Sequence, residues 1–212
     1  MNLLNCYITR CISCSDGKRV YEALNLGRRV IIEFYTDQDL AYRETLALNV
    51  LEKYKITPTF IDNGRWNGLY YIITKKIEGY PLSKLNITKE LAKKLGRTIA
   101  IMHNAKVHHG DLHKGNILID LKGNIVILDF EFSIIFSERS INSKYIECIV
   151  SDLLSLMWDF PGRYILSLLE GYFYTIDSSL KEEITSHLMK IASKEMISAS
   201  RSLDELLAIV AS

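Results

Sequence analysis

The chain has 212 residues, of which 48% are hydrophobic and 24% charged, and these ordinary proportions argue against a disordered, collagen-like or coiled-coil protein. The 26 Lys and Arg residues nearly balance the 25 Asp and Glu residues, and the formal net charge of +1 gives no indication of a nucleic-acid partner. Since no apolar run reaches the roughly 18 residues of a membrane helix and no signal peptide is evident, the sequence predicts a soluble, cytoplasmic protein without a membrane span.

The front of the chain is rich in β-branched and aromatic residues, which favour strands. They predict strands at residues 29–35 and 69–77. Between these strands, Asp37 or Asp39 is a suitable N-cap for a helix that extends to about residue 53. We therefore expect a strand-rich first third that contains one helix.

The remainder of the chain is predicted to be mainly helical. Thr88 can cap a helix that extends to about residue 104, and Lys122-Gly123 forms the turn of a predicted hairpin. The hairpin strands are predicted at 116–121 and 124–129, and further helices at 145–158, 162–174, 178–193 and 203–210. A strand-rich front followed by a helical back indicates an α+β fold with two unequal lobes.

Two of the four cysteines, Cys11 and Cys14, form a C-x-x-C pair. A structural zinc site normally has four ligands, and no second pair follows at a suitable spacing. The strand-to-helix context of a redox pair is also missing. We interpret these residues as reduced structural thiols, with zinc or redox chemistry as the alternative.

The most informative stretch is H-H-G-D-L-H-K-G-N-I-L-I-D at residues 108–120, followed by I-L-D-F-E at 127–131. It places Asn116 five residues after Asp111, and Asp129 thirteen residues after Asn116. This pattern resembles the protein-kinase-like superfamily, in which H-x-D-x-x-x-x-N on the catalytic loop is followed by D-F-G after a hairpin. Phosphoryl transfer needs a carboxylate near the acceptor hydroxyl and oxygen ligands that hold Mg²⁺ against the phosphates. The resemblance implies catalytic roles for Asp111 and Asn116, and metal binding by Asn116 and Asp129.

Four of the five histidines fall within eleven residues, which raises the alternative of a transition-metal site. His109 and His113 have the i, i+4 spacing of a helical zinc pair. However, Gly110 and Gly115 disfavour a continuous helix here. The kinase-like interpretation also accounts for the aspartates, the asparagine and the hairpin, whereas the metal interpretation accounts only for the histidines.

Other segments resemble the same superfamily. Ser13, Ser15, Gly17 and Val20 lie where kinases carry the glycine-rich loop over the ATP phosphates, although an ordinary hairpin turn would look similar. Glu44 matches the helix glutamate that pairs with the phosphate-binding lysine, and its alternative is a solvated surface charge.

The resemblance extends to the middle and the end of the chain. Lys75 and Ile77 match the hinge, whose backbone would bind adenine. Asp152 matches the buried aspartate that holds the catalytic loop, and the alternative is a helix N-cap region. The chain is therefore predicted to be a single kinase-like domain over residues 1–212, with an N-lobe at about 1–77 and a C-lobe at about 78–212.

The sequence departs from the kinase pattern at the strand that carries the phosphate-binding lysine. V-I-I-E, which ends at Glu33, aligns with V-A-I-K, so a glutamate stands at the lysine position. Glu33 and Glu44 would then face each other as like charges, and the usual ion pair cannot form. Either Lys18, Arg19 or Arg29 supplies the missing cation, or the protein is a pseudokinase.

Two further departures concern the end of the site. Glu131 replaces the glycine of D-F-G, which is similar to lipopolysaccharide core kinases and other small-molecule kinases. Asp152 follows Asp129 by only 23 residues, and no A-P-E motif occurs. Such a short activation segment resembles the minimal atypical kinases, namely the RIO-type group and the small kinase of the KEOPS complex. Residues 206–212 lack the basic tail of the latter.

These resemblances imply an ATP-dependent phosphotransferase, with a serine/threonine-protein kinase of minimal atypical type as the leading hypothesis. The implied ligands are ATP and Mg²⁺, with Mn²⁺ as a substitute for magnesium. The implied partners are a nucleotide and a protein substrate, or the kinase itself through autophosphorylation of Ser133, Ser137, Ser140 or Ser143. The alternatives are a small-molecule hydroxyl kinase for an aminoglycoside, choline or lipopolysaccharide-like acceptor, and a nucleotide-binding pseudokinase.

Overall fold

The computed structural model describes residues 2–3, 5–137, 143–158 and 160–195. The helix predicted at 203–210 and the phosphorylation candidate Ser140 lie outside these residues. In the described part, a strand-rich front is followed by a helical back, which confirms the predicted α+β, two-lobed fold class. None of the described helices combines the length and the apolar character that crossing a membrane requires.

A six-stranded antiparallel sheet forms the front of the molecule. Its strands are β1 (Asn2–Leu3), β2 (Cys6–Cys14), β3 (Lys18–Asn25), β4 (Arg28–Tyr35), β5 (Phe60–Trp66) and β6 (Leu69–Lys75), in the spatial order β1-β2-β3-β4-β6-β5. Strands β4 and β6 correspond to the two predicted strands, although β6 ends at Lys75 rather than at residue 77. The sequence does not predict β2, because most of its side chains are exposed and it lacks an alternating apolar pattern.

Helix α1 (Gln38–Leu51) lies against this sheet. Asp37 is its N-cap, since the Asp37 carboxylate accepts a hydrogen bond from the backbone N–H of Asp39. Leu48 packs into the core from the buried face of the helix, and Glu44 lies on that same face. The interpretation of Glu44 as a solvated surface charge is therefore wrong.

Helices and short strands form the back of the molecule. The helices are α2 (Lys89–Asn104), α3 (Ser143–Trp158), α4 (Ile165–Thr175) and α5 (Ser178–Glu195), and the strands are β7 (Gly79–Pro81), β8 (Val107–His108), β9 (Ile117–Asp120), β10 (Ile125–Ile127) and β11 (Ile134–Ile135). Strands β9 and β10 form the predicted hairpin, and β7, which the sequence does not predict, pairs with β9. Thr88 caps α2 as predicted, because its hydroxyl accepts a hydrogen bond from the N–H of Leu91.

Helices α2 and α4 pack with their backbones in close contact. A Cβ atom at Gly96 would overlap the carbonyl oxygen of Leu168, and a Cβ atom at Gly171 would overlap that of Lys93. The close approach therefore depends on glycine at both positions. Helices α2 and α4 are therefore a tightly packed pair in the back of the molecule.

Candidate active site

A cavity of about 500 Å³ lies between the sheet and the hairpin of β9 and β10. Apolar side chains from both sides contribute to its wall, among them Val20, Ile31, Leu118 and Leu128. Polar groups also contribute, among them Glu33, Glu44, Asn116 and Asp129. A cavity of this size, with apolar walls and a few convergent polar groups, is typical of a small-molecule or cofactor site.

The loop that follows β8 is held in place by Asp152 of helix α3. The Asp152 carboxylate accepts hydrogen bonds from the backbone N–H groups of His109, at 2.7 Å, and Gly110, at 3.0 Å. Asp152 lies well inside α3, so its interpretation as an N-cap residue is wrong. The two hydrogen bonds fix the backbone immediately before Asp111.

Histidines surround the buried carboxylate of Asp152. Burial alone would raise the pKa of Asp152, but a hydrogen bond from His103, whose Nε2 lies 3.2 Å away, lowers that pKa below its ordinary value. Nε2 of His108 lies 3.4 Å from the other carboxylate oxygen, while burial lowers the pKa of His108 itself. These two histidines therefore contact a structural aspartate.

Gly110 makes the loop conformation possible. Its φ of 86° is in the left-handed region, and a Cβ atom at this position would lie 2.5 Å from the carbonyl oxygen of Phe132. Any other residue would strain the backbone and also collide with the segment after Asp129. Gly110 thus allows the Asp111 loop and the Asp129 segment to lie side by side.

Asn116 joins the loop of Asp111 to the segment of Asp129. Its Nδ2 donates a hydrogen bond to the carbonyl oxygen of Asp111 at 2.9 Å, and Nδ2 also lies 3.4 Å from the Asp111 carboxylate. The carbonyl oxygen of Asn116 accepts a hydrogen bond from the N–H of Leu128, next to Asp129. Asn116 is buried, whereas the Asp111 side chain is 48% exposed and open to an acceptor from outside.

Asp129 follows β10 in a left-handed conformation with a φ of 65°, which is uncommon for a residue other than glycine. Strained backbone of this kind persists where the surroundings enforce it, often at functional sites. Here the side chain of His109 helps to hold the backbone next to Asp129 in place. Its Nε2 donates to the carbonyl oxygen of Leu128 at 2.9 Å, and its Nδ1 accepts from the N–H of Asp111 at 3.2 Å. A single imidazole ring therefore links the segments of Asp111 and Asp129.

Lys18 lies at the centre of an acidic cluster. Its ammonium group is within ion-pair distance of four carboxylates, those of Asp129 at 2.6 Å, Glu33 at 3.0 Å, Glu131 at 3.1 Å and Glu44 at 3.7 Å. The motif alone suggests an uncompensated repulsion between Glu33 and Glu44. In the structure, Lys18 compensates it. The two glutamates share a cation that comes from the neighbouring strand β3.

One ammonium group among four carboxylates leaves the cluster with surplus negative charge. Burial and the nearby Glu33 carboxylate raise the pKa of Glu44 to about 8, although Lys18 opposes this shift. Burial also raises the pKa of Glu131, again against the effect of Lys18. Burial would lower the pKa of Lys18, but Glu33, Glu44 and Asp129 raise that pKa above its ordinary value, so the ammonium stays charged.

The residues predicted to bind the nucleotide separate into two groups. One group contributes to the cavity wall and consists of Val20, Glu44, Lys75, Ile77 and Asp129. The other group, Ser13, Ser15 and Gly17, is exposed at the end of the hairpin of β2 and β3, outside that wall. The hydroxyl and the backbone N–H of Ser15 both donate to the carbonyl oxygen of Lys18, and the hydroxyl accepts from the N–H of Lys18, so this segment has the conformation of a tight hairpin turn.

Both predicted hinge residues, Lys75 and Ile77, line the cavity. The backbone N–H of Lys75 donates to the carbonyl oxygen of Thr59 at 2.9 Å, so it is already engaged in pairing of the sheet. Ile77 follows the end of β6 and lines the cavity. It therefore remains the hinge candidate whose backbone could contact an adenine.

Neither alternative metal centre forms in the described residues. Cys11 and Cys14 are free, exposed thiols on β2. His109 and His113 are not part of a helix, so the helical zinc pair is wrong. His113 instead accepts a hydrogen bond from the N–H of Gly115.

The oxygen donors at the end of the cavity fit a magnesium ion. The amide of Asn116 uses its Nδ2 for Asp111, which leaves Oδ1 for a metal. Carboxylate oxygens of Glu44, Asp129 and Glu131 lie within 4.8 Å of one another. Carboxylate and amide oxygens are the ligands that Mg²⁺ prefers over softer donors.

Comparison with known proteins agrees with this geometry. Residues 72–152, from strand β6 to Asp152 of helix α3, match the lipopolysaccharide kinase (Kdo/WaaP) family. The chain is 46% identical over 50 residues to a 3-deoxy-D-manno-octulosonic acid kinase of Vibrio cholerae, which covers 24% of this chain and 21% of the relative. It is 33% identical over 108 residues to the Haspin homolog ALK1 of Saccharomyces cerevisiae, a serine/threonine-protein kinase, over 43% of this chain and 14% of the relative.

A third relative is a probable bifunctional tRNA threonylcarbamoyladenosine biosynthesis protein of Methanothermobacter thermautotrophicus, 27% identical over 128 residues. That match covers 60% of this chain and 23% of the relative. The alignments thus span less than a quarter of each of these three relatives.

A sheet above a helical part, with Asp111, Asn116 and Asp129 brought together at the cleft, defines a kinase-like protein. Its relatives support a phosphotransferase. The family match and these relatives support the assignment of the chain to the atypical kinases of the protein-kinase-like superfamily.

Proposed function

We propose that the protein is an ATP- and magnesium-dependent phosphotransferase that acts on a hydroxyl group, with a serine or threonine side chain as the first candidate acceptor. The observation that carries this proposal is the linkage of Asp111, Asn116 and Asp129 through one hydrogen-bonded loop at the end of the cavity. The match to kinase families over residues 72–152 supports it independently.

In this proposal each polar residue of the loop has one role. Asp111 orients the acceptor hydroxyl and takes up its proton as the hydroxyl oxygen bonds to the terminal phosphorus of ATP and the bond from that phosphorus to ADP breaks. Asn116 and Asp129 would hold a magnesium ion, whose charge neutralises the phosphate oxygens. The apolar wall around Val20 and Ile31 would receive the adenine, beside the backbone of Ile77.

The exposure of Asp111 favours an acceptor on a macromolecule. Its carboxylate is 48% exposed, so a hydroxyl on the surface of a folded protein can approach it directly. The chain itself offers serines in the segment that follows Asp129. Ser133 is a poor candidate, because it is buried and its hydroxyl donates to the carbonyl oxygen of Arg43. Ser137 and Ser143 are exposed, and they are the better candidates for autophosphorylation among the described residues.

A sugar hydroxyl is the second candidate acceptor. It is favoured by the match to the lipopolysaccharide kinase family and by the 46% identity with a 3-deoxy-D-manno-octulosonic acid kinase. The third candidate, a pseudokinase, rested on the glutamate at the lysine position. Lys18 weakens this objection, since it brings a cation to the same place.

Intact-mass analysis and labelled-ATP assays test the proposal directly. The protein is incubated with ATP and Mg²⁺, alone, with a generic protein acceptor, and with 3-deoxy-D-manno-octulosonic acid, beside the variant Asp129→Asn. We expect phosphate transfer to protein or to the chain itself, and none with the variant. Transfer to the sugar alone would move the assignment to sugar kinases, and nucleotide binding without transfer to any acceptor would support a pseudokinase.

A further inference from the structure

The kinase pattern has a lysine at the position of Glu33. In this protein the ammonium group of Lys18 lies beside Glu33 and brings a cation to the same place. We infer that Lys18 is the phosphate-binding lysine of this protein, located on strand β3 instead of the adjacent strand β4. This inference rests on the proposed function and names a residue that would contact the nucleotide.

The pairing of β3 with β4 explains how a lysine on one strand reaches the site of the other. Lys18 lies opposite Tyr35, and Val20 lies opposite Glu33, so Lys18 is displaced by two positions along the strands and shares a face of the sheet with Glu33. Its long side chain crosses this distance, and its ammonium group ends 3.0 Å from Oε1 of Glu33. The tips of residues 18 and 33 therefore reach the same point at the end of the cavity.

The surroundings of Lys18 differ from those of an ordinary structural ion pair. An ammonium group has three donors, yet four carboxylates lie within 3.7 Å of it. It cannot satisfy all four at once. Lys18 donates a hydrogen bond to Oδ1 of Asp129. If that oxygen binds a metal, as proposed above, phosphate oxygens beside the metal can accept this donor in its place.

The other two cations that the sequence offered are directed elsewhere. Arg19 is adjacent to Lys18 in an extended strand, so the two side chains point to opposite faces of the sheet. Arg19 lines a separate cavity there, together with Trp66. Arg29 forms ion pairs with Glu22 and Glu78, near the hinge.

The backbone around Lys18 is anchored as a phosphate contact requires. The N–H of Lys18 donates to the hydroxyl of Ser15, and its carbonyl oxygen accepts from Ser15 in return. The carbonyl oxygen of Gly17 accepts a hydrogen bond from the N–H of Thr36, which ties the turn to the end of β4. The ammonium is thus presented from a closed turn rather than from a loose loop.

Calorimetric titration with ATP, ADP and adenosine tests this inference. The variant Lys18→Met should lose about 10- to 100-fold in affinity for ATP and ADP, as expected for a lost charge-assisted contact. Its affinity for adenosine should stay within about twofold, because the apolar wall is unchanged. Arg19→Met is the matched control on the opposite face, and it should bind all three ligands as the wild type does.

A second pair of variants separates phosphate binding from stability. Lys18→Met/Glu33→Gln keeps the net charge of the pair and should fold, yet it should show the same selective loss for ATP and ADP. Lys18→Met/Glu33→Lys returns the lysine to β4, and it should recover at least part of the ATP affinity.

The outcomes distinguish this inference from the proposed function. Suppose that the wild type binds ATP, and that Lys18→Met and Lys18→Met/Glu33→Gln keep the wild-type ratio of ATP affinity to adenosine affinity. Only the role of Lys18 is then wrong. If the wild type binds no nucleotide, the proposed function and the role of Lys18 are both wrong.

Discussion

The ammonium of Lys18 lies 2.6 Å from Oδ1 of Asp129, although 111 positions separate the two residues in the chain. The contact joins the front sheet to the helical back across the cleft. It also places a cation beside the residue that we propose as a metal ligand. The departure from the kinase pattern at Glu33 is therefore compensated locally by the ammonium group of Lys18.

The first prediction concerns Asp129. Asparagine tolerates the left-handed conformation that this position requires, so Asp129→Asn should keep the backbone while removing the charge. We expect phosphoryl transfer to fall by about 100-fold or more, with a melting temperature close to that of the wild type. Asp39→Asn makes the same chemical change at an exposed residue of α1 and should keep full activity. Wild-type turnover in Asp129→Asn would show that the site has been placed wrongly.

The second prediction concerns the pH dependence of stability. Glu44 has a pKa of about 8 in the folded protein and an ordinary value of 4.5 when unfolded. Between these values the folded state holds a proton that the unfolded state has lost, so this group lowers the free energy of unfolding as the pH rises. Glu44→Gln should remove this effect and still accept the hydrogen bond from Tyr35.

Thermal melts at about pH 5 and about pH 8 measure the effect of Glu44. Relative to the wild type, Glu44→Gln should gain about 1–3 kcal/mol more at the higher pH than at the lower pH. Glu52→Gln, at an exposed glutamate just after α1, should leave the pH profile unchanged. Parallel profiles for Glu44→Gln and the wild type would contradict the raised pKa.

Much of the site could be predicted because its residues lie close together in sequence. Asp111, Asn116 and Asp129 fall on one loop and one hairpin, and hydrogen bonds join these segments in the structure. Lys18 could only be one of three candidates, because its position depends on the register of β3 against β4, which a single sequence does not specify. The nucleotide-binding role of Ser13 and Ser15 depends on their alignment position alone. Both residues are exposed in the structure, and no strong sequence pattern indicates that exposure.

The third prediction compares two glycines with positive φ. Gly110 and Gly123 have φ values of 86° and 80°, so alanine strains the backbone at both. Only at Gly110 does the added Cβ also meet an obstacle, the carbonyl oxygen of Phe132, whereas nothing lies within 4 Å at Gly123. Urea titration should give a loss of about 1 kcal/mol for Gly123→Ala and about 2–4 kcal/mol for Gly110→Ala. Equal losses would mean that the segment after Asp129 moves aside without cost.

The last prediction concerns Asp152, which holds the backbone immediately before Asp111 through two hydrogen bonds. Asp152→Asn keeps the shape but replaces one carboxylate oxygen with an NH₂ group, which cannot accept hydrogen bonds from both His109 and Gly110. A loss of about 3–5 kcal/mol is expected for breaking a buried charged network of this kind.

Because the pKa of Asp152 is lowered on folding, its contribution to stability is present above the unfolded value of 3.8 and is lost as the pH falls through the folded value. The variant should therefore be less stable than the wild type at neutral pH, with a difference that narrows below about pH 4, as followed by urea titration across the pH range. Asp177→Asn, at an exposed aspartate with a similarly lowered pKa, should cost much less, since water replaces its lost contacts. A constant difference between Asp152→Asn and the wild type from neutral to acid pH would show that the carboxylate stabilises the loop through its shape and not through its charge.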